Sequence, residues 1–541
     1  MTTHSRFAAA AAIAVSLAFA AETHAQCTEV TSGLLRPQSI VQTQKDNLIA
    51  SEAGASSANT GRLSIVSPGG VRRTLIDGMP SALSYETNAA SGIAGLFLRG
   101  RTLYVAIGVG DAVLAGPIMG TTRPNPNPSS PLFSSVLAVH FSAAVEQTTM
   151  GFTLAPADHQ TLANGQPVTL ANGAGQTIRV EMVVNLPNFT PEPRPDFAEH
   201  VRHSNPFGIV GVGNALYLTD GAQNSVVRID ISARTFSTLT TFERIANPQF
   251  NPNPPPPSVG GPFLDAVPTA ITYSDGQLLV TLFRGFPFPN GSSAVVRVDP
   301  LTGSQSAFIT GLKTAIGILP IRADDDPSTT KHLVLQHASG PMLAPPGLLL
   351  RFDTPAGPPT TLASCMATPT AMTLDAKSGT LYVSELAGRI VAIPVAAEAH
   401  VTDGGLAPTV RNISARGRVE MGDNVLIGGF IVGQGTGGGA VKVLLRAIGP
   451  SLAMQGVGDA LADPVLTVYD VNGAQIARND SWRGDQGERS QQNEIIATRL
   501  PPQRDAEAAI LVNLPPGNYT AIVRSKGTAE GIALVEVFHV Q

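Results

Sequence analysis

Short apolar runs separated by turn formers recur through residues 28 to 397, and they follow a fixed order. Each unit opens on a short strand, often led by proline: Pro37 to Ile40, Ala90 to Ile93, Pro206 to Ile209, Pro268 to Ile271, Lys313 to Ile316 and Pro369 to Met372. A second strand then starts at a leucine, namely Leu48, Leu103, Leu216, Leu278, Leu333 or Leu381, and several of these follow hairpin turns such as Asp275-Gly276. An alternating third strand comes next, as in Arg62 to Val66 and Ser225 to Ile229, and a looser fourth segment such as Thr74 to Ile76 completes the unit. Period-two alternation of this kind marks strands rather than helices.

Six repeats of a four-stranded unit, with the leucines about 50 to 60 residues apart except across one long gap, are the signature of a six-bladed β-propeller. The first strands are then innermost around a channel. The gap holds an insertion over residues 145 to 200 that ends in the proline-rich Leu186 to Pro195, and a second proline-rich loop spans Asn247 to Pro262. Both are expected to project from one face. Because the last unit lacks a fourth strand while Thr28 to Gly33 has no other place to pair, the N-terminus is expected to close the ring.

Residues 398 to 408 read as a linker, and beyond them the blade period is lost. Seven strands are predicted over 409–541, from Val410–Ile413 to Ile532–Phe538, which suggests a β-sandwich. The expected fold class is therefore all-β: a propeller over 26–397, then a sandwich over 409–541.

Composition adds the compartment. Arg6 precedes an uncharged apolar stretch from Phe7 to Ala21, and Thr23-His24-Ala25 offers a cleavage site, so residues 1 to 25 read as a signal peptide. The stretch is shorter than a membrane span of roughly 20 residues, and no later stretch replaces it. An exported protein, periplasmic or extracellular, follows. The net charge of −5 gives no field that would recruit nucleic acid. Cys27 and Cys365 are the two cysteines; the predicted layout puts them at turns on opposite faces, which argues against a bridge.

Ser204 to Gly208, the turn Asp220 to Asn224, and Gly285 to Pro289 after the strand ending at Phe283 resemble the ScyD/ScyE family, secreted propellers related to NHL repeats. The resemblance spans about residues 28 to 397 and implies fold and export more than a reaction. The C-terminal part is similar to accessory modules of secreted bacterial proteins through Asp423 to Phe430, Arg446 to Leu452 and Asn479 to Trp482. That similarity implies a bacterial origin.

Aligning the six second strands at their leucines puts Glu52, Ile107, Asp220, Leu282, His337 and Glu385 at one level of the ring. Oxygen donors from several blades suit a calcium ion, which takes 6 to 8 oxygens. The plainer reading has these residues bonding backbone amides at strand ends. Asn205 and Asn224 join them as candidate ligand-binding residues, while Asn224 also suits a turn and Phe286 and Phe288 suit packing between blades. His200 and His203 are expected at an exposed insertion edge. Trp482, between Asp480 and Asp485, reads as a core residue ahead of a sugar platform, and Gly433 to Gly439 as a flexible loop.

No nucleophile elbow, zinc-protease helix or phosphate-binding loop is present in the sequence. Two functions follow. The first is a non-catalytic scaffold for an extracytoplasmic small molecule, glycan or protein. The second is a metal-dependent lactonase-like hydrolase or quinone-type dehydrogenase using Glu52, Asp220 and Glu385.

Overall fold

The computed structural model describes residues 25–253, 258–322, 330–395, 400–401, 412–422, 424–432, 441–484, 490–515 and 517–540. Residues 1–24 of the signal peptide expected over 1–25, most of the expected linker over 398–408, Gly433 to Gly439 and Asp485 lie outside the described residues. Two compact units divide at Ala407/Pro408.

In the first unit the innermost strands are Pro37–Gln42, Ala90–Arg99, Pro206–Val212, Pro268–Ser274, Ala315–Arg322 and Pro369–Asp375. Each packs against the next, and the sixth packs against the first, so the ring is closed. Every blade runs outward through antiparallel second, third and fourth strands. Thr28–Thr31 pairs with Arg389–Pro394 as the outer strand of the sixth blade, with Thr28 opposite Ala392. Buried aliphatic side chains between adjacent blades form the core, for instance Leu216, Leu218 and Val227 against Ala106, Val136 and Val184. The third blade closes on the second so tightly that a Cβ on Gly95 would stand 2.0 Å from the Phe207 carbonyl oxygen.

A belt of hydrogen bonds joins consecutive blades near the start of the inner strands. Ser51 Oγ donates to the Ala94 carbonyl at 2.6 Å, and Thr219 Oγ1 to that of Thr269 at 2.6 Å. Thr269 Oγ1 reaches Ala315 at 3.2 Å, and Thr370 Oγ1 reaches Pro37 at 2.9 Å. Between the fifth and sixth blades His337 takes the hydroxyl's place, its Nδ1 lying 2.8 Å from the Pro369 carbonyl oxygen. A carbonyl only accepts, so Nδ1 carries the proton.

Three expectations are corrected. Cys27 and Cys365 are bonded, with Cα atoms 5.8 Å apart, inside the range a disulfide needs. Cys365 lies within the fifth blade's outer strand, Thr360–Met366, rather than at a turn. The segment before Thr28 runs beside that strand, with Ala25 N–H donating to the Leu362 carbonyl at 2.8 Å. The bond thus fastens the joint where the chain closes the ring.

Second, the insertion does not project as one piece. Its first half adds a rim strand to each of two blades: Phe152–Thr153 extends the first and Val168–Ala171 the second. Glu146, in the short helix Ala143–Thr148, is buried and accepts from Thr43, Asn47 and Arg101, which ties the insertion to the turns of both blades. The hairpin of Phe189–Pro191 and Val201–His203 is bonded instead to the chain that follows the second proline-rich loop, Arg202 donating to Asp265 at 2.8 Å.

Third, His200 and His203 are buried. His200 Nδ1 accepts from the Thr122 N–H at 3.0 Å, and His203 meets Tyr85 edge-on at 5.9 Å.

The second unit is a sandwich of two four-stranded sheets. One holds, in spatial order, Asn412–Val419, Gly531–His539, Val441–Ile448 and Ala508–Leu514; the other holds Leu426–Val432, Gly517–Ser525, Pro464–Tyr469 and Gln475–Asn479. Gln475–Asn479 is an eighth strand among the described residues, too short and too mixed in polarity, with only Ile476 and Ala477 apolar, to show in the sequence. Trp482 is 2% exposed among Leu444, Ile495 and Leu511, and its indole N–H reaches the Arg504 carbonyl at 3.1 Å. Burial of that order leaves no face for a sugar. Asp480 pairs with Lys526 at 3.3 Å.

Candidate functional site: the channel and the ring of strand ends

Strand register decides which side chains share a level around the axis. Opposite the first inner-strand residue that pairs with the second strand in each blade stand Glu52, Ile107, Asp220, Leu282, Gln336 and Glu385, Ile107 facing Ile93. Five are those expected. In the fifth blade Gln336 replaces His337, because His332 rather than Leu333 occupies the position of the other blades' leucine: His332 faces Phe352 as Leu48 faces Val66. A histidine where the repeat has leucine hides the true phase.

The ring carboxylates face their own blades. Glu52 is 0% exposed; it accepts the Leu35 N–H at 2.5 Å and the Ser64 hydroxyl. Asp220 is 2% exposed and accepts from Asn205 N–H at 2.8 Å, Gln223 N–H at 3.0 Å and Ser204 Oγ at 2.5 Å. Glu385, also 0% exposed, accepts from Ala367 N–H at 2.5 Å and pairs with Arg389. In the fifth blade Gln336 Oε1 accepts Lys313 N–H at 2.9 Å in the same manner. Each ties the end of a second strand to the chain entering the inner strand, where proline or a left-handed residue leaves N–H groups without a ladder partner.

Burial pushes the Asp220 carboxyl up from its ordinary range, against the three hydrogen bonds and nearby His203 that favour its charge. Burial also lowers the His337 imidazole from its ordinary value, against the bond to the Pro369 carbonyl that favours its charge. Asn205 Oδ1 accepts Val109 N–H at 3.2 Å, which links the second and third blades. Asn224 is buried in the left-handed region at φ 53°, holding Val267 N–H with its Oδ1 and Asp265 with its Nδ2. Of the six predicted residues, only Asn205 and Asp220 touch each other. Among the described residues, no three His, Cys, Asp or Glu side chains gather as metal donors would, and those proposed for calcium are divided among separate blades with their oxygens engaged.

Two features escaped the sequence reading. Asp265 receives Arg202 at 2.8 Å, Arg244 at 2.9 Å and Asn224 at 2.8 Å, while Glu192 stands 3.7 and 3.6 Å from the two guanidiniums. Burial acts to raise the Asp265 carboxyl, but the arginines and Asn224 outweigh it and hold it low. Phe286 and Phe263, both exposed, lie nearby in the loops around Gly285 and Asp265. Phe286 thus does not pack between blades. Its only ring contact among the described residues is edge-on with Phe288 at 6.1 Å.

The second is the chemistry of the channel lining. The channel has a volume of about 200 Å³, and all six inner strands line it through residues such as Ile40, Ile209, Ile271, Ile316, Met372 and Thr370. No lining side chain is ionisable. A buried Ser130–His159 pair, 3.0 Å apart, has no access to it: both are almost fully enclosed, and His159 Nε2 is held by the Gly78 carbonyl at 2.9 Å.

The fold and site define an all-β chain with a six-bladed propeller and a following sandwich. No protein-family model matches the sequence, and no curated protein matches it. Among solved structures, similarity is found to a calcium-binding regucalcin of Agrobacterium tumefaciens, at 10% identity and TM-score 0.37 over 71% of this chain and 97% of that one. A gluconolactonase of Xanthomonas campestris gives 10% identity and TM-score 0.35 over 68% and 89%. An auxiliary nutrient binding protein of Bacteroides thetaiotaomicron gives 8% and 0.35 over 67% and 69%. At these values no residue, ligand or reaction carries across. Among the described residues no helix is long and apolar enough to cross a membrane.

Proposed function

We propose that this chain is an exported, non-catalytic binding scaffold of the ScyD/ScyE kind whose propeller takes an uncharged small molecule in its channel. The observation that carries the reading is the lining of that channel, drawn from six blades and free of ionisable side chains. Acid–base chemistry needs such a group beside the reacting atoms, the lining hydroxyls such as Ser39 and Thr370 need a neighbouring base to act as nucleophiles, and metal-assisted chemistry needs donors that hold a metal. A volume of about 200 Å³ falls below the roughly 300–1,000 Å³ of sites for drug-sized ligands, so the ligand is fragment-sized. Export is supported by the Cys27–Cys365 bond, which suits an oxidising compartment, and by the apolar leader. The metal-dependent alternative lacks free donors, since Glu52, Asp220 and Glu385 already serve backbone amides and neighbouring side chains.

The test is a fluorescence titration of the oxidised full-length protein with an uncharged naphthalene-based probe. Saturable one-to-one binding is expected, unchanged by EDTA and abolished in Ala371→Trp, which fills the channel from the sixth blade. Binding that requires added calcium, or a folded Ala371→Trp protein with undiminished affinity, overturns the proposal.

A further inference from the structure

Among the described residues the sandwich has four edge strands, and three carry the devices by which native proteins keep such edges from pairing. Asn412–Val419 carries the exposed Arg416 and Arg418, and Arg418 pairs with Asp459 at 2.5 Å. Gln475–Asn479 is short and carries the exposed Arg478. Along Ala508–Leu514 side chains occupy the open edge: Asn479 Oδ1 accepts Ala509 N–H at 2.9 Å, while Gln491 accepts Leu511 N–H at 2.9 Å and donates to its carbonyl at 2.7 Å.

The fourth edge, Leu426–Val432, has neither device. Its sequence, Leu-Ile-Gly-Gly-Phe-Ile-Val, contains no charge and no proline. It pairs with Gly517–Ser525 on one side, and among the described residues nothing bonds to its backbone on the other. Ile427 and Ile431 point outward at 58% and 76% exposed, with the exposed Gly429 between them.

Gly429 needs a reason of its own. Glycine weakens a strand interior and often marks close approach of another backbone. Among the described residues, a Cβ at Gly429 would meet nothing within 4 Å, whereas one at Gly428 would meet Val535 at 3.1 Å. The sandwich itself therefore accounts for Gly428 and leaves Gly429 without an internal role.

We propose that this edge pairs antiparallel with the same edge of a second copy of the chain, about a two-fold axis at Gly429. The segment is self-complementary in that register. Leu426 falls opposite Val432, Ile427 opposite Ile431, and Gly428 opposite Phe430, small against large; Gly429 meets its own equivalent. Two copies of the four-stranded sheet become one continuous sheet, and the exposed isoleucines form two apolar cross-strand pairs. This assigns the C-terminal module a role in self-association, beyond the proposed function of the channel and independent of it.

The test is sedimentation velocity of the oxidised full-length protein from micromolar to submillimolar concentration. A reversible monomer–dimer equilibrium is expected, weakened at least tenfold in an Ile427→Lys/Ile431→Lys variant whose Trp482 unfolding transition is unchanged. Directly opposed residues of an antiparallel pair have Cα atoms about 4.5–5.5 Å apart. The chain has no free cysteine, so a Gly429→Cys variant treated with oxidised glutathione should form a covalent dimer, and Arg478→Cys should not. A wild-type protein that stays monomeric throughout overturns the proposal, as does undiminished dimerisation of the lysine variant or equal cross-linking of the two cysteine variants.

Discussion

Asp220 separates a carboxylate that holds the fold from one that serves a ligand. Asp220→Ala strands the Asn205 and Gln223 backbone N–H groups and the Ser204 hydroxyl around a buried carboxylate site in a partly buried turn. Each unsatisfied buried group costs about 1–3 kcal/mol; with the hydroxyl free to rotate, the loss should be about 3–5 kcal/mol, nearly all from the two amides. For a unit of this size each kcal/mol lowers the melting temperature by roughly 1.3 °C, so a fall of about 4–6 °C is expected. Asp220→Asn keeps an oxygen for both amides and gives Ser204 a donor in place of an acceptor, so it should stay within about 1 kcal/mol of wild type. The pH dependence has a definite sign. Because the folded carboxyl titrates above its unfolded value of 3.8, the unfolded chain releases its proton first as pH rises; wild type loses stability from near that value up to the folded pKa and is flat beyond it. The Asn variant lacks this loss. The assay is thermal unfolding of the oxidised protein followed by tyrosine circular dichroism. Trp482, the sole tryptophan, lies in the sandwich, and its fluorescence serves as an unaffected internal control. A harmless Asp220→Ala, or an Asn variant as damaged as the Ala variant, refutes the reasoning.

The remaining predictions test other joints. Reduction, or Cys365→Ser, opens a bond of sequence separation 338 and should lower the propeller transition by about 2–5 kcal/mol while leaving the Trp482 transition in place; coincident loss of both contradicts the assignment. His332, buried against Phe308 with Nδ1 lacking a partner, is pulled down to about 4 by burial and by Arg297. The unfolded chain therefore binds its proton first as pH falls from 6.5 to about 4, costing up to about 3 kcal/mol of stability over that window; His332→Leu should abolish the slope, seen in urea unfolding at several pH values. Gln336→Ala, which leaves Lys313 N–H without its acceptor, should cost about 1–3 kcal/mol in the propeller transition, and no change would remove Gln336 from the ring.

Legibility in the sequence tracked how strongly each position repeats. Prolines at inner-strand starts and leucines at second-strand starts placed Glu52, Asp220 and Glu385 at their observed level, and the unpaired Thr28 to Gly33 located the closing strand. His332 broke the phase because one polar residue in a leucine column looks like a shift, and only the pairing with Phe352 resolves it. The buried state of His200 and His203 depends on Thr122 and Tyr85, remote in sequence, so no local pattern announces it. The disulfide was missed because turn counting carries no record of Ala25 running beside Leu362. Channel residues were legible as the middle of each inner strand; that none is ionisable required knowing which positions face inward.

The most direct test of the account joins the carboxylates to the channel. A Glu52→Gln/Asp220→Asn/Glu385→Gln protein, folded and oxidised, should bind the naphthalene-based probe with wild-type affinity and stoichiometry, because these side chains brace strand ends and none lines the channel. Loss of probe binding in that protein, with its unfolding transitions intact, contradicts the claim.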